Sequence, residues 1–129
     1  MNAIIIEDEY LAAAELERLL GEVAPEITIL TKLDSVSESV KWLKKNKADV
    51  IFMDIMMPYM NGWDATRKIR TLQRPDADKI PIIAMSANAF AEDIINSHIS
   101  GMNWHLTKPI DADKLMTALK ECIRKNNIR

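Results

Sequence analysis

Polar and charged side chains stand directly after four of the five short apolar runs of this sequence. Glu7 and Asp8 follow the first run, Asp54 follows the third, and Ser86 and Lys108 come after the fourth and fifth. Carboxylates brought into one cleft repel each other, and a hard divalent cation such as Mg²⁺ relieves that repulsion. A lysine opposite them could hold an incoming anion, and a serine hydroxyl could donate to one of its oxygens. These residue types together predict a site for Mg²⁺ and a phosphoryl group.

Each of these residues alone also has an ordinary structural explanation. Acidic residues such as Glu7 and Asp8 are expected at a helix start because of the helix dipole. Asp54 could cap a loop, Ser86 could be a turn hydroxyl, and Lys108 could be a solvated charge. We favour the functional interpretation because all five stand at ends of predicted parallel strands, where the carboxyl edge of such a sheet binds ligands.

The apolar pattern alternates between short continuous runs and longer stretches with apolar residues three and four positions apart. The short runs predict strands and the longer stretches predict the helices between them. The predicted strands β1 to β5 are Ala3–Ile6, Ile27–Leu30, Val50–Met53, Ile80–Met85 and Trp104–Leu106. Strict alternation requires right-handed crossovers and predicts an α/β fold with a doubly wound parallel sheet.

Capping and breaking residues mark the predicted helices. The first helix, α1, carries an apolar stripe from Ala12 to Val23, and we expect Gly21 and Pro25 to end it. The second, α2, follows Ser35, which stands at capping-box spacing from a glutamate. The remaining helices, α3 to α5, are predicted at Trp63–Arg70, at about Ala89–Ser100 before Gly101, and after a cap at Asp111.

Length, charge and cysteine content narrow the function classes. The chain has 129 residues, enough for one domain with a core, and a net charge of −2, which argues against a polyanion-binding surface. Its start lacks a basic region before the first apolar run, and no run approaches the length of a membrane span. The single cysteine, Cys122, fits a reducing compartment. We therefore expect a cytoplasmic protein.

Four motifs resemble the signatures of two-component response-regulator receiver domains, and they occur in the order found in that family. They are Ile6-Glu7-Asp8-Glu9, Phe52-Met53-Asp54-Ile55-Met56-Met57-Pro58, Ala84-Met85-Ser86-Ala87 and Thr107-Lys108-Pro109. The resemblance covers essentially the whole chain. It implies a flavodoxin-like (βα)₅ fold with strand order 2-1-3-4-5, and a single receiver domain over residues 1–129 with no output domain.

The resemblance also implies a role for each residue of the site. Asp54 would be the phosphoacceptor, whose carboxylate attacks phosphorus to give an aspartyl phosphate. Glu7, Asp8 and Asp54 would hold Mg²⁺, together with the backbone carbonyl of Met56. The phosphorylated domain would catalyse its own slow dephosphorylation, which makes it a signalling switch rather than a classical enzyme.

The same resemblance implies how the signal is received and passed on. Lys108 would pair with one phosphoryl oxygen and Ser86 would hydrogen-bond another, and the movement of Ser86 would reshape the face formed by α4, β5 and α5. The phosphodonor would be a sensor histidine kinase or a histidine phosphotransfer domain. We expect no direct nucleic-acid or membrane binding, and a homodimer through the α4-β5-α5 face is compatible with this interpretation.

Several residues near the site depart from the family pattern or leave alternatives open. The family usually has an aromatic residue three positions before the lysine, where this sequence has His105, which is either a half-buried sheet histidine or part of the switch. Trp104 is a candidate for an exposed contact on the α4-β5-α5 face. Met56 and Asn88 would control how water reaches the acyl phosphate. Because neither is a base, we expect slow hydrolysis.

Other functions and origins remain compatible with the residues. A receiver-like interaction module without phosphorylation would keep the same fold. A phosphatase with an aspartate nucleophile would carry a second aspartate at the position of Met56, and a flavin protein is compatible on fold grounds alone. Residues 1–54 resemble receivers of LytTR-class regulators and residues 55–129 resemble receivers of hybrid sensor kinases. A natural mosaic, a divergent hybrid receiver or an engineered chimeric scaffold would each explain this difference.

Overall fold

The computed structural model describes residues 1–56, 61–72, 76–77, 79–87 and 91–127, with side chains up to residue 122. Strands and helices alternate along the chain, as the sequence predicts. The strands are β1 (Asn2–Ile6), β2 (Thr28–Leu33), β3 (Val50–Asp54), β4 (Ile82–Ser86) and β5 (Trp104–Thr107). The helices are α1 (Tyr10–Val23), α2 (Val36–Lys45), α3 (Gly62–Arg70), α4 (Ala91–Ser100) and α5 (Ala112–Asn127).

The strands form one parallel sheet in the order β2-β1-β3-β4-β5, which confirms the predicted topology. β3 and β4 are buried along their whole length, and β1 is buried except at its first residue, because helices cover both faces of the sheet. β2 lies at one edge and is partly exposed throughout. The order places the end of β3 at the centre of the sheet, between the ends of β1 and β4.

Alternate residues of the central strands pack on opposite faces of the sheet. Ile5 and Phe52 face a core that α1 and α5 complete, whereas Ile4 and Ile51 face a second core completed by α2 and α3. This side-chain alternation with a period of two, with apolar residues on both sides, explains why these strands read as continuous apolar runs. The two cores hold the strand ends in a fixed relative position.

Most predicted helix ends are confirmed, with one error. The Ser35 hydroxyl accepts a hydrogen bond from the Glu38 amide at 3.2 Å, and Gly101 follows α4 with a φ of 107°, a conformation that favours glycine. The prediction that Gly21 helps to end α1 was wrong, because the helix continues through it to Val23. One glycine costs about 1 kcal/mol in a helix, which burial of the neighbouring Leu20 outweighs.

Two strand boundaries also differ from the prediction. β4 begins at Ile82 rather than Ile80, because the Ile80 amide is used in a turn with Asp76 and Pro81 has no N–H to donate. β2 runs three residues further than predicted, to Leu33, which pairs with Ile6 of β1. Both strands therefore reach further towards the carboxyl edge of the sheet than the apolar runs indicate.

Arg70, at the end of α3, connects three segments of the chain. Its guanidinium donates to the Gly101 carbonyl at 2.7 and 3.1 Å and to the Ile80 and Ala77 carbonyls at 2.6 and 3.1 Å. It also donates to the Asn103 side-chain oxygen at 2.8 Å. These bonds fix the end of α3 to the turn after α4 and to the segment before β4. No helix in the described part of the chain is long and apolar enough to cross a membrane.

Candidate functional site

The carboxyl ends of four strands meet at one edge of the sheet and carry the polar residues that the sequence singles out. Asp54 is the last residue of β3 and Ser86 is the last residue of β4. Glu7 follows β1 and Lys108 follows β5. The parallel register explains this placement, because Ile6 pairs with Met53 and Asp54 pairs with Met85 across neighbouring strands. The site residues are thus brought together by strand pairing across the sheet.

Three carboxylates form an acidic cluster at this edge. Glu7, Asp8 and Asp54 each place a carboxylate oxygen within 4.8 Å of the other two. Glu7 is 4% exposed and Asp54 is 5% exposed, whereas Asp8 is exposed to solvent. Buried carboxylates at this separation repel each other unless a cation lies between them, and oxygen atoms are the ligands that Mg²⁺ prefers. The cluster therefore fits a hard divalent cation, with its Asp8 side open to water.

Lys108 provides a positive charge opposite the cluster. Its ammonium nitrogen Nζ lies 3.1 Å from Glu7 Oε2 and 3.5 Å from Asp54 Oδ2. Burial acts to lower the pKa of Lys108, but the carboxylates of Asp54 and Glu7 outweigh it and raise that pKa above its ordinary value. The ammonium group therefore stays charged at neutral pH and contacts two acidic side chains at once.

Glu7 is the most perturbed titratable group of the site. Burial and then the nearby Asp54 carboxylate raise the pKa of Glu7 to about 7, against the opposing effect of Lys108. The Glu9 amide donates weakly to Glu7 Oε1 at 3.4 Å. Perturbed carboxyl groups of this kind are typical of functional sites, because burying charge without a purpose destabilises the fold.

The Asp54 carboxylate is held in place by its own chain and by the start of α3. The Met56 amide donates to Asp54 Oδ1 at 3.0 Å. A Cβ atom at Gly62 would lie 2.8 Å from the Asp54 carbonyl oxygen and 2.7 Å from Ile55 Cα, so only glycine permits this approach of α3. Sequence reasoning gave Gly62 no role in the site. A glycine just before the predicted helix start is the signal that could have indicated it.

The Met56 side chain points away from the buried part of the site, with 69% of the residue exposed. Its observed contact with Asp54 is made through the backbone amide, so its predicted contribution of a backbone carbonyl to a metal remains a prediction. Asn88, predicted to control water access with Met56, lies outside the described residues.

Ser86 has a partner that sequence reasoning missed. Ser86 Oγ lies 2.8 Å from His105 Nε2, and Ser86 is 2% exposed. Ser86 pairs with Thr107 and Ala84 pairs with His105 in the register of β4 and β5, so the two side chains lie on the same sheet face two positions apart. Their sequence spacing of 19 residues carries no signal of this contact. Only the strand register could have revealed it.

His105 is half-buried, as one of its two predicted alternatives states. Burial lowers its pKa, and the negative charge of Asp93 opposes that effect. Trp104 is half-buried rather than fully exposed, and with His105 it lines a cavity of about 440 Å³ between α4 and α5. The α4-β5-α5 face therefore contains a concave region beside Ser86.

The fold and the acidic pocket define a phosphoacceptor-type α/β domain. Residues 3–120 match the response regulator receiver domain family. The chain belongs to this family, which operates in two-component signalling, and this confirms the resemblance that the four motifs carry.

Known relatives and structures agree with this assignment. The chain is 31% identical to stress response regulator protein 1 of Scheffersomyces stipitis over 95% of its length, and 41% identical to probable histidine kinase 2 of Oryza sativa over 55%. It spans only 42% and 7% of those two proteins. It is also similar to the receiver domain of a sensor histidine kinase from Pseudomonas aeruginosa, with 29% identity and a TM-score of 0.81, covering 95% of this chain and 96% of that one. That crystal structure holds a magnesium ion coordinated in the active site cleft.

Proposed function

We propose that the domain accepts a phosphoryl group on Asp54, in the presence of Mg²⁺, from a phosphohistidine of a sensor histidine kinase or a histidine phosphotransfer domain. We further propose that phosphorylation changes the α4-β5-α5 face and so passes on a signal. The observation that carries the proposal is the arrangement of three carboxylates within 4.8 Å of one another, with the Lys108 ammonium 3.5 Å from Asp54.

The chemistry needs few groups beyond those present. One carboxylate oxygen of Asp54 forms a bond to phosphorus while the bond between phosphorus and the donor imidazole nitrogen breaks, and that nitrogen keeps the electron pair. No proton has to be removed from the carboxylate for this step. The Met56 amide holds the nucleophilic group by one of its oxygens. The residues therefore act mainly by positioning and by charge.

The main obstacle is the approach of an anionic phosphoryl group to an acidic pocket. Lys108 lies within 3.5 Å of both Glu7 and Asp54, so its charge is available to a phosphoryl oxygen at the same place. Glu7, Asp8 and Asp54 would hold Mg²⁺, with the Met56 carbonyl as a proposed fourth ligand. A bound Mg²⁺ would supply further positive charge to the equatorial phosphoryl oxygens.

Relatives of two kinds support the proposed partners. The chain is similar to response regulators, which receive phosphoryl groups, and to receiver segments within histidine kinases. Trp104 and the cavity beside it are the proposed contact region of the signalling face, and a homodimer through this face would use the same surface. Slow self-hydrolysis is part of the proposal, because neither Met56 nor Asn88 is a base.

The test is the intact mass of the protein after incubation with acetyl phosphate, with and without Mg²⁺. We expect a gain of one phosphoryl group that requires Mg²⁺ and is absent in Asp54→Asn. Asp49→Asn is a matched control, since Asp49 is an exposed aspartate outside the site. Absence of labelling under every condition would contradict the proposal and favour an interaction module without phosphorylation. Labelling that persists in Asp54→Asn would assign the phosphoacceptor elsewhere.

A further inference from the structure

The hydrogen bond between Ser86 and His105 joins the proposed phosphoryl site to the α4-β5-α5 face. Ser86 Oγ and His105 Nε2 are 2.8 Å apart, and Ser86 is almost fully buried. The backbone of Ser86 is fixed as well, because its carbonyl accepts a hydrogen bond from the Lys108 amide at 2.7 Å. The hydroxyl can therefore redirect its hydrogen by rotating its side chain while the backbone of β4 stays in place.

A serine hydroxyl has one hydrogen to donate but can accept two hydrogen bonds. When His105 is neutral with a bare Nε2, Ser86 donates its hydrogen to the ring. A phosphoryl oxygen on Asp54 is an acceptor only, so it needs that same hydrogen. Both demands cannot be met at once. A phenyl or phenol ring at this position would not compete, since it offers no strong acceptor in the ring.

We propose that His105 is a positioning residue for phosphoryl transfer, which holds the Ser86 hydroxyl hydrogen in the resting protein and must give it up to the phosphoryl group. This inference rests on the proposed function of Asp54. The loss of the bond frees the imidazole ring to move, and the cavity of about 440 Å³ that it lines with Trp104 provides the space. Occupation of the site is thereby coupled to the α4-β5-α5 face through one hydrogen.

Protonation of His105 should reverse the direction of this bond. An imidazolium ring has no acceptor and can only donate to Ser86, which leaves the hydroxyl hydrogen available to a phosphoryl oxygen. The charged and titratable groups around the ring are Asp93 and His98 on α4 and Asp113 and Lys114 on α5. β4 presents only Ser86 and the small Ala84 to this side.

The proposal is tested by a double-mutant cycle on the rate of labelling by acetyl phosphate with Mg²⁺. His105→Phe keeps a planar ring but cannot accept the hydrogen. We expect it to raise the rate about fivefold, the equivalent of one net hydrogen bond, and to have no effect when Ser86→Ala is already present. His98→Phe is the matched control, because His98 is an exposed histidine on α4.

The pH dependence supplies a readout that a packing role would not change. We expect the ratio of the His105→Phe rate to the unmutated rate to fall towards one as the pH drops and His105 becomes protonated. Imidazole ¹⁵N shifts should show a bare Nε2 in the resting protein at neutral pH. They should change in the same direction on Ser86→Ala and on addition of Mg²⁺ with beryllofluoride, a phosphoryl mimic.

Each outcome separates this inference from the proposed function. Labelling of the unmutated protein with equal effects of His105→Phe in both backgrounds would overturn the inference alone. A hydrogen on Nε2 in the resting protein at neutral pH would also overturn it. Absence of any labelling of the unmutated protein would overturn both.

Discussion

Two partly buried cations, Arg70 and Lys108, lie at opposite edges of the same sheet and have different kinds of partner. Arg70 donates to backbone carbonyls at Ala77, Ile80 and Gly101, which the fold itself fixes in place. Lys108 contacts the carboxylates of two acidic side chains at the other edge. One cation is held by neutral acceptors of the main chain and the other by charged groups that could accept a different partner.

The contrast separates a structural role from a functional one. Carbonyl acceptors cannot change their charge, so the bonds of Arg70 serve to lock α3, α4 and β4 together. The carboxylates around Lys108 sit close enough to repel each other, and burial raises the pKa of Glu7 to about 7. A cluster in this state costs stability and can be relieved by a cation or a phosphoryl group. Functional sites commonly trade stability in this way.

The largest effect is expected from Lys108→Met. Removing the ammonium group should slow labelling by acetyl phosphate by about 10²–10³-fold, since a preorganised charge on a transferring group contributes on that order. The affinity for Mg²⁺ should rise, because the carboxylates lose their competing cation. Mass spectrometry measures the rate, and calorimetric titration measures the affinity.

Lys44→Met, at the exposed end of α2, is the control for the loss of one positive charge. It should leave the labelling rate and the Mg²⁺ affinity unchanged. A Lys108→Met protein that binds Mg²⁺ and is labelled within threefold of the unmutated rate would remove the contrast between the two cations.

Arg70→Met should act on stability instead of chemistry. The substitution leaves several carbonyl acceptors without their donor, and we expect the free energy of unfolding to fall by about 3 kcal/mol. Urea titration measures this change. The folded fraction should still be labelled at close to the unmutated rate. A comparable loss from Arg67→Met, an exposed arginine on the same helix that pairs with Asp64, would contradict the argument, because exposed ion pairs contribute little.

The part of the site that strands carry could be predicted from the sequence. Asp54 and Lys108 follow apolar runs, and the carboxyl ends of parallel strands share one edge, so their approach follows from strand order. The contacts of Arg70 could not be predicted, since backbone carbonyls leave no trace in residue types. The bond between Ser86 and His105 depends on the register of β4 and β5, which the apolar pattern does not specify.

The fold was predictable to a similar extent. The order of strands and helices follows from periodicity, whereas the error at Gly21 arose because tertiary packing outweighs a local preference. The separate ancestry of residues 1–54 and 55–129 stays a prediction. Searching each segment alone for relatives would test it.

Gly62→Ala should impair both regions at once, because Gly62 lies where α3 meets the end of β3. The added Cβ would clash with the Asp54 carbonyl oxygen and with Ile55 Cα, which are backbone atoms that cannot move aside separately. We expect a loss of about 2 kcal/mol in unfolding free energy and a lower labelling rate as Asp54 shifts. Urea titration and mass spectrometry measure the two effects.

Gly21→Ala is the matched control for this substitution. A Cβ at Gly21 meets nothing within 4 Å, and the residue lies inside α1. The change should stabilise the protein by about 0.5–1 kcal/mol and leave labelling unchanged. Equal effects of the two alanine substitutions would mean that the close approach at Gly62 has no consequence for the site.

The smallest expected effect is the pH dependence that Glu7 gives to Mg²⁺ binding. Because the pKa of Glu7 is raised from 4.5 to about 7 in the folded protein, the carboxyl group holds a proton near neutral pH that Mg²⁺ must displace. The affinity should therefore rise about tenfold between pH 6 and pH 8. Calorimetric titration at both pH values measures the ratio, and the proton released on binding appears as a dependence on buffer ionisation heat.

The same shift sets the sign of a stability effect in the metal-free protein. Below pH 4.5 both the folded and the unfolded chain hold the proton, whereas between pH 4.5 and 7 only the folded chain does. The contribution of Glu7 to stability is thus present in acid and is lost as the pH rises through 7. Glu7→Gln should remove this loss, weaken Mg²⁺ binding and flatten its pH dependence. An unchanged tenfold ratio in Glu7→Gln would assign the displaced proton to another group and leave Lys108 as the main determinant of charge in the pocket.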